Sequence, residues 1–296
     1  MQMMIFGAGY SGKAIGAEFT AQGFTVAGTT RSKDKASALA DVGLTPFVFD
    51  GGTLSPELRT SLHDVTHLVQ SIAPGQNGDP LVHLAGGDIR SLMPRLQWIC
   101  YLSTVGVYGD HDGAWVDEDT PCRPVSVRSV ERVEAEQAWQ ALAAAAGLPL
   151  AILRLSGIYG PGRNAFVNLS NGTARRLIKK DQVFNRIRVE DIGAAALFLG
   201  ARLADGLYNV TDNEPCPPQD VVTEAARLMG VAPPPEQAFE TAELSPMARS
   251  FYGENKRVAN ARLTALGFVF RYPDYRVSLA QMWSENAWNK GPPQAF

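Results

Sequence analysis

The chain is short of several things, and each shortage removes a class of function. No lysine occurs between Lys35 and Lys179, and only four histidines and three cysteines are spread over 296 residues. Cys100, Cys122 and Cys216 are odd in number and far apart, which fits reduced thiols and excludes a disulfide scaffold. Cys100 sits in the apolar run Trp98-Ile99-Cys100-Tyr101-Leu102 and reads as a small core residue. His63 and His67 are four apart, but His63 ends a helix-like stretch and His67 opens the β-like run His67-Leu68-Val69, so no metal site is expected. An excess of charge is also missing: 27 Lys and Arg face 30 Asp and Glu for a net charge of −3, so neither nucleic acid nor an anionic membrane is an expected partner. No apolar stretch approaches the span of a bilayer, and a strand begins at Met3, so the cytoplasm is the expected location. The sequons at Asn168 and Asn171 are then chance matches.

What is present is a chain of 45% hydrophobic residues, able to bury a full core, with glycines in one telling place. Gly7-Ala8-Gly9-Tyr10-Ser11-Gly12 follows at once on the apolar run Met3-Met4-Ile5-Phe6 and leads into a helix with Ile15 and Phe19 on one face. A strand that breaks into glycines and restarts as a helix is the start of a dinucleotide-binding unit. Gly7 makes the tight turn, Gly9 lets backbone approach a pyrophosphate, and Gly12 allows close helix–strand packing. The helix N-terminus, at Tyr10 and Ser11, turns its free amides toward the phosphates. Gly7, Gly12 and Lys13 also fit the phosphate loop of nucleotide triphosphatases, but Ala14 stands where that loop needs a hydroxyl for magnesium.

Strand-like and helix-like segments then alternate. Strands are expected at 3–6, 24–29, 46–50, 66–71, 97–103, 150–155 and 206–210, with helices between, which means an α/β fold with a doubly wound parallel sheet. The longest helix is expected from about Ser126 to Ala146, a stretch without Gly or Pro that stops at Gly147-Leu148-Pro149. Residues 161–181 read as an irregular excursion, and the proline-rich chain from Asn213 onward as a smaller lobe of short helices. A substrate is expected between the lobes, over the carboxyl ends of the strands.

The second strand ends in Thr30-Arg31-Ser32, where an NAD site usually carries an acid for the ribose hydroxyls. Arg31, with Thr30 and Ser32, offers a charge and donors suited to a 2′-phosphate, which favours NADP over NAD. The alternative is that Arg31 is a solvated loop residue and Asp34 supplies the acid. Topology puts Asp50 at the adenine edge and Ser71-Ile72-Ala73 beside the pyrophosphate.

Thr104-Val105-Gly106-Val107-Tyr108-Gly109 resembles the Ser/Thr-x-x-Val-Tyr-Gly segment of the extended short-chain dehydrogenases/reductases, the nucleotide-sugar epimerase/dehydratase family. So do Asp117 to Pro121, Arg154 to Arg163, Arg188 to Ile192, Asn255-Lys256-Arg257 and Leu266-Gly267-Phe268. The resemblance implies a Rossmann-type domain with a smaller, discontinuous substrate lobe, NAD(P) binding and frequently a homodimer. It divides the chain into residues 1–160 plus about 185–211 for the dinucleotide, and about 161–184 plus 212–296 for the substrate.

In that family a Tyr and a Lys four residues on do the chemistry with the Ser/Thr, the Lys holding the nicotinamide ribose and lowering the Tyr pKa. Matching Glu136 to the acid that commonly follows the family Lys puts Arg128 at the Tyr position and Arg132 at the Lys position. A guanidinium cannot cycle a proton, although Arg132 can donate to ribose hydroxyls. Thr104 is retained, either as a donor near the nicotinamide or as a cap of its strand, and Tyr108 and Tyr159 are candidates for substitute acids, although each also fits the family's structural pattern of Val-Tyr-Gly and Ile-Tyr-Gly. Val105 and Gly106 stand where dehydratases carry an acidic pair, and Asp117 to Asp119 read as a solvated loop. Arg163, Arg186 and Arg188 are candidates to grip an anionic group; the alternative is surface charge and ion pairing with Glu190 or Asp191. The sequence thus points to an atypical NADP(H)-binding member acting as an oxidoreductase or epimerase on a small polar substrate, nucleotide-linked ones included. The alternatives are a non-catalytic dinucleotide sensor and a conventional nucleotide-sugar epimerase.

Overall fold

Seven apolar runs become seven strands: β1 (Gln2–Phe6), β2 (Thr25–Thr30), β3 (Thr45–Val48), β4 (His67–Gln70), β5 (Trp98–Thr104), β6 (Leu150–Leu155) and β7 (Gly206–Val210). In the computed structural model, which describes residues 1–245 and 249–290, they form one sheet in the order β7-β6-β5-β4-β1-β2-β3. Every neighbouring pair is parallel, with Met3 opposite both Val26 and His67, and Thr104 opposite Leu155. A parallel sheet is covered on both faces, which is why its strands read as nearly continuous apolar runs; in β6 all six residues are buried, Arg154 included. The fold is Rossmann-like, reversing strand order between β1 and β4.

One face is covered by α1 (Tyr10–Ala21) and α3 (Val189–Gly200), whose Ile15, Phe19, Ile192 and Leu199 pack on Ile5, Cys100 and Leu153. These helices touch closely because Gly193 carries no side chain: a Cβ there would stand 2.7 Å from the Ala14 carbonyl oxygen. The other face is covered by α2 (Val127–Ala146) and three shorter helices, with Trp139 fully buried among Tyr101, Ile152 and Leu58. Helix α2 starts where Ser126 Oγ accepts from the Ser129 amide at 3.2 Å and ends at Gly147 in the left-handed conformation, φ 60°. Cys100 is a core residue, and burial pushes its thiol well above the usual range.

A third apolar cluster joins Tyr159, Phe166, Val221, Tyr275 and Leu279, drawing on α4 (Pro218–Met229) and α5 (Tyr275–Ser284). It is tied to the sheet by charged groups. Arg188 is buried and forms a two-pronged pair with Glu190, both contacts 2.6 Å, while its Nη1 donates to Ser278 on α5 at 2.8 Å. Asp191 accepts from the amides of Arg271 and Tyr272, and Arg271 donates to Glu18 on α1 at 2.8 Å.

The segment expected to be irregular holds a short helix, Ala165–Ser170, and a strand, Arg176–Ile178. The signal was Asn164, whose side chain caps the helix by accepting from Val167 at 3.1 Å, with Phe166 fully buried behind it. The helix expected between the second and third strands is instead a 3-10 turn, Lys33–Lys35, followed by one turn at Ser37–Ala40. Parts of the expected substrate lobe, 246–248 and 291–296, lie outside the described residues. Among the described residues no helix is long and apolar enough to cross a membrane, and no group of three or more His, Cys, Asp or Glu could hold a metal.

Candidate functional site

The glycine turn sits at the carboxyl end of β1. Gly7 has φ +81°, a conformation L side chains avoid, and a Cβ on it would lie 3.0 Å from both Ile72 N and Ile72 Cγ1. Gly12 is equally constrained, with Gly7 O at 3.1 Å and Ile5 Cγ2 at 3.2 Å from its missing Cβ. Gly9 differs. Its φ is −78°, and a Cβ there would meet nothing nearer than Gly7 O at 4.0 Å, so the chain's own packing does not ask for a glycine. Beside it α1 begins with no side-chain cap, and the amides of Tyr10, Ser11 and Gly12 have no acceptor among the described residues. The result is an open, electropositive backbone surface bounded by glycine on one side and by Ser71 and Ile72 on the other.

Three supports of this turn escaped the sequence reading because each is a long-range contact. Thr29 on β2 accepts from the Gly7 amide at 2.9 Å through its hydroxyl and from the Ala8 amide at 2.8 Å through its carbonyl. Gln70, fully buried at the end of β4, donates to both carboxylate oxygens of Asp79 at 2.8 Å, which fixes the Ser71-Ile72-Ala73 loop from below. Tyr10 donates its hydroxyl to Pro161 O at 2.9 Å, linking the turn to the segment after β6, and burial pushes its phenol well above the usual range. Only the polar character of Thr29 and Gln70 within apolar strands signalled them.

At the end of β2, Thr30 and Ser32 are half-buried, and Arg31 is exposed with no ion pair among the described residues. Asp34 lies in the following 3-10 turn between Lys33 and Lys35, all exposed, so the local field is basic. Asp50, beyond β3, is exposed and accepts from the Gly52 amide at 3.0 Å.

Past β5 the residues divide differently from the sequence expectation. Thr104 Oγ1 accepts from the Gly106 amide at 3.2 Å and caps the 3-10 turn Val105–Tyr108, and its hydroxyl has no acceptor among the described residues. Tyr108 is fully buried; its hydroxyl donates to Asn209 at 2.7 Å, the Arg154 guanidinium lies 4.9 Å from its ring centroid, and burial pushes it up to about 12. That placement fits the structural role of Val-Tyr-Gly, with the phenol engaged inside the protein and away from solvent, and speaks against its use as a substitute acid. Tyr159 is likewise drawn into the third cluster, with burial raising its phenol.

On α2, Arg128, Arg132 and Glu136 are spaced four apart and share the sheet-facing side. Glu136 is buried and paired with Arg154 on β6, Nη2 to Oε2 at 2.7 Å, and also accepts from the Ser103 hydroxyl on β5. Arg132, half-buried, donates to Leu102 O at 2.7 Å and to the Tyr101 hydroxyl at 3.2 Å. Arg128 is exposed, one turn further out, with no ion pair among the described residues. Of the three arginines expected to grip an anion, the pair with Glu190 commits Arg188 to structure and Arg186 is spent on Phe184 O and Cys216, while Arg163 is exposed and has no ion pair among the described residues. The loop at 117–119 is not wholly solvated either: Glu118 is buried and accepts from the Asn209 amide at 2.8 Å.

The sequence model of the NAD dependent epimerase/dehydratase family matches residues 88–184. A solved structure of a conserved protein of unknown function from Silicibacter pomeroyi is 45% identical, covering 97% of this chain and 99% of that one, with a TM-score of 0.88. Protein YeeZ of Escherichia coli is 29% identical over 287 residues, 92% of this chain and 97% of its own. The human epimerase family protein SDR39U1, solved with NADPH, shares the fold at 16% identity and a TM-score of 0.72, with 96% and 99% of the two chains covered.

Proposed function

Because the chain belongs to the NAD-dependent epimerase/dehydratase family, we propose that it binds NADP(H) at the glycine turn and acts as an oxidoreductase or epimerase on a small polar substrate. The observation that carries the reading is Gly9, a glycine with open space around it beside amides that have no acceptor. Packing leaves room for a side chain there, whereas a pyrophosphate resting on the backbone would not.

The backbone of Gly7, Gly9, Tyr10, Ser11 and Gly12 would hold the pyrophosphate, with Ser71, Ile72 and Ala73 along its other side. Thr30, Arg31 and Ser32 would take the 2′-phosphate, and Asp50 the adenine edge. Thr104 and Arg132 lie toward the nicotinamide end. When bound, the cofactor supplies or accepts a hydride. The protein's part is to orient the substrate and stabilise charge: the Thr104 hydroxyl can donate to a carbonyl, and Arg128 can hold an anion but cannot shuttle a proton. A homodimer is the proposed assembly, as the family resemblance implies.

A second reading, a dinucleotide sensor without turnover, draws on one observation: α2 contains neither tyrosine nor lysine. The test for the cofactor is Gly9→Val. Its open surroundings let the free protein melt near the parent temperature, while the rise in melting temperature produced by NADPH should disappear. A full NADPH shift in the variant would overturn the assignment; a shift in the parent with no turnover on any substrate would favour the sensor.

A further inference from the structure

The carboxyl ends of β5 and β6, on the α2 side, hold more hydrogen-bond donors than acceptors. Arg154 and Ser156 are two residues apart and project to one face, which the Arg154–Glu136 pair identifies as the α2 side. Both are buried, 4% and 5% exposed, and each keeps an atom without a hydrogen-bond partner among the described residues: Nη1 of Arg154 and Oγ of Ser156. Glu136 leaves them unserved, because its two oxygens already accept from Ser103 and from Nε and Nη2 of Arg154. Arg154 Nη2 also reaches Cys122 Sγ at 3.3 Å, and the segment after Cys122 carries Arg123 and then Arg128, both exposed and without ion pairs among the described residues; the Arg123 amide is held to Val107 O at 3.0 Å, next to the Thr104 turn. Two hydroxyls meet at Gly106, where a Cβ would lie 3.0 Å from Ser129 Oγ and 3.5 Å from Thr104 Oγ1. Val125 and Val127, 66% and 72% exposed, flank the arginines.

We propose that this site takes the carboxylate of a small substrate with an apolar body, with Arg128 and Arg123 at its mouth and Arg154 Nη1 and Ser156 Oγ at its floor. A site made of donors is complemented by a ligand that only accepts, and a planar guanidinium matches a carboxylate two bonds at a time. Glu136 already balances Arg154, so the buried floor offers hydrogen bonds without net charge, which suits a delocalised monoanion better than a phosphate dianion. The exposed valines would cover the apolar body. The inference rests on the reading of this cleft as a nicotinamide-linked substrate site, and it gives Arg128 a binding role where proton transfer is closed to it.

The test is a calorimetric titration of the NADPH-saturated protein with benzoate, benzamide and inorganic phosphate, accompanied by melting curves. Benzoate should bind at least about tenfold more tightly than either of the others. Arg128→Ala should remove about tenfold of benzoate affinity with NADPH affinity unchanged, and Arg128→Lys should recover only part, since it keeps the charge and loses the fork. Ser156→Ala should weaken benzoate while raising the melting temperature of the free protein, because it deletes an unpartnered buried hydroxyl. Equal binding of benzoate and benzamide, a preference for phosphate, or an indifferent Arg128→Ala would overturn the proposal. Failure of the parent to bind NADPH at all would instead overturn the cofactor reading beneath it.

Discussion

Two single residues carry consequences that a measurement can isolate. Arg31 is the first: it is exposed, unpaired and flanked by Lys33 and Lys35 just where β2 ends. Reversing its charge should hurt the phosphorylated cofactor alone, so Arg31→Glu is expected to cost NADPH on the order of 1.5–3 kcal/mol and leave NADH little changed. Titration of both reduced cofactors checks it, and a parent with equal affinities would speak against the assignment. Asp212 is the second. It is 1% exposed, one carboxylate oxygen has no partner, and burial is the main cause that raises it to about 8 from 3.8; Asp274 and Glu214 add to the rise, while the Glu214 amide and Arg186 oppose it. The native state therefore keeps a proton that the unfolded chain gives up above about pH 4, and stability must fall as pH rises from there to about 8. Asp212→Asn should remove that slope, melting higher than the parent at pH 7.5 and similarly at pH 4, as paired melting curves would show. A parallel pH dependence in the two proteins would mean that Asp212 is ionised throughout.

Among the elements, α2 matters most for the site, since one side of it carries Arg128, Arg132 and Glu136 along the end of β5. Its position depends on its first turn, where Ser126 accepts from the Ser129 amide and donates to the Ser129 hydroxyl at 2.9 Å. Ser126→Ala should cost about 1 kcal/mol, read as a drop of a few degrees in melting temperature. The ends of this helix were legible in advance because caps are local chemistry: a serine before a run without Gly or Pro, and a glycine after it. The short helix at Ala165–Ser170 was not legible, because six residues make too weak a periodic signal and its stability comes from burying Phe166 against Trp283 and Trp288.

At the scale of the whole molecule, the third cluster is joined to the sheet through a few polar links, among them Arg188, which is 1% exposed. Replacing it with methionine would strand Glu190, whose side chain is 13% exposed, without its partner. Arg188→Met should therefore cost on the order of 3 kcal/mol and lower the melting temperature markedly, whereas the exposed pair Arg95–Asp64 should contribute almost nothing when cut. Thermal melts of Arg188→Met and Arg95→Ala side by side make the comparison.

The sequence by itself determined what depends on neighbours along the chain. The glycine turn, the alternation of strands and helices and the caps of α2 follow from backbone sterics and from periodicity within a few residues. The lysine-free stretch and the tyrosine-free α2 are likewise matters of composition. Tertiary structure decided the rest, because it joined residues far apart in sequence. Thr29 meets Gly7 across 22 residues, and Glu136 meets Arg154 across 18 and Ser103 across 33. Tyr108 and Arg128 show the reason most plainly. Both are polar residues near the end of β5, yet packing against Asn209 and Arg154 removed the phenol from solvent while the helix carried the guanidinium beyond the sheet, and no local pattern distinguishes those two fates.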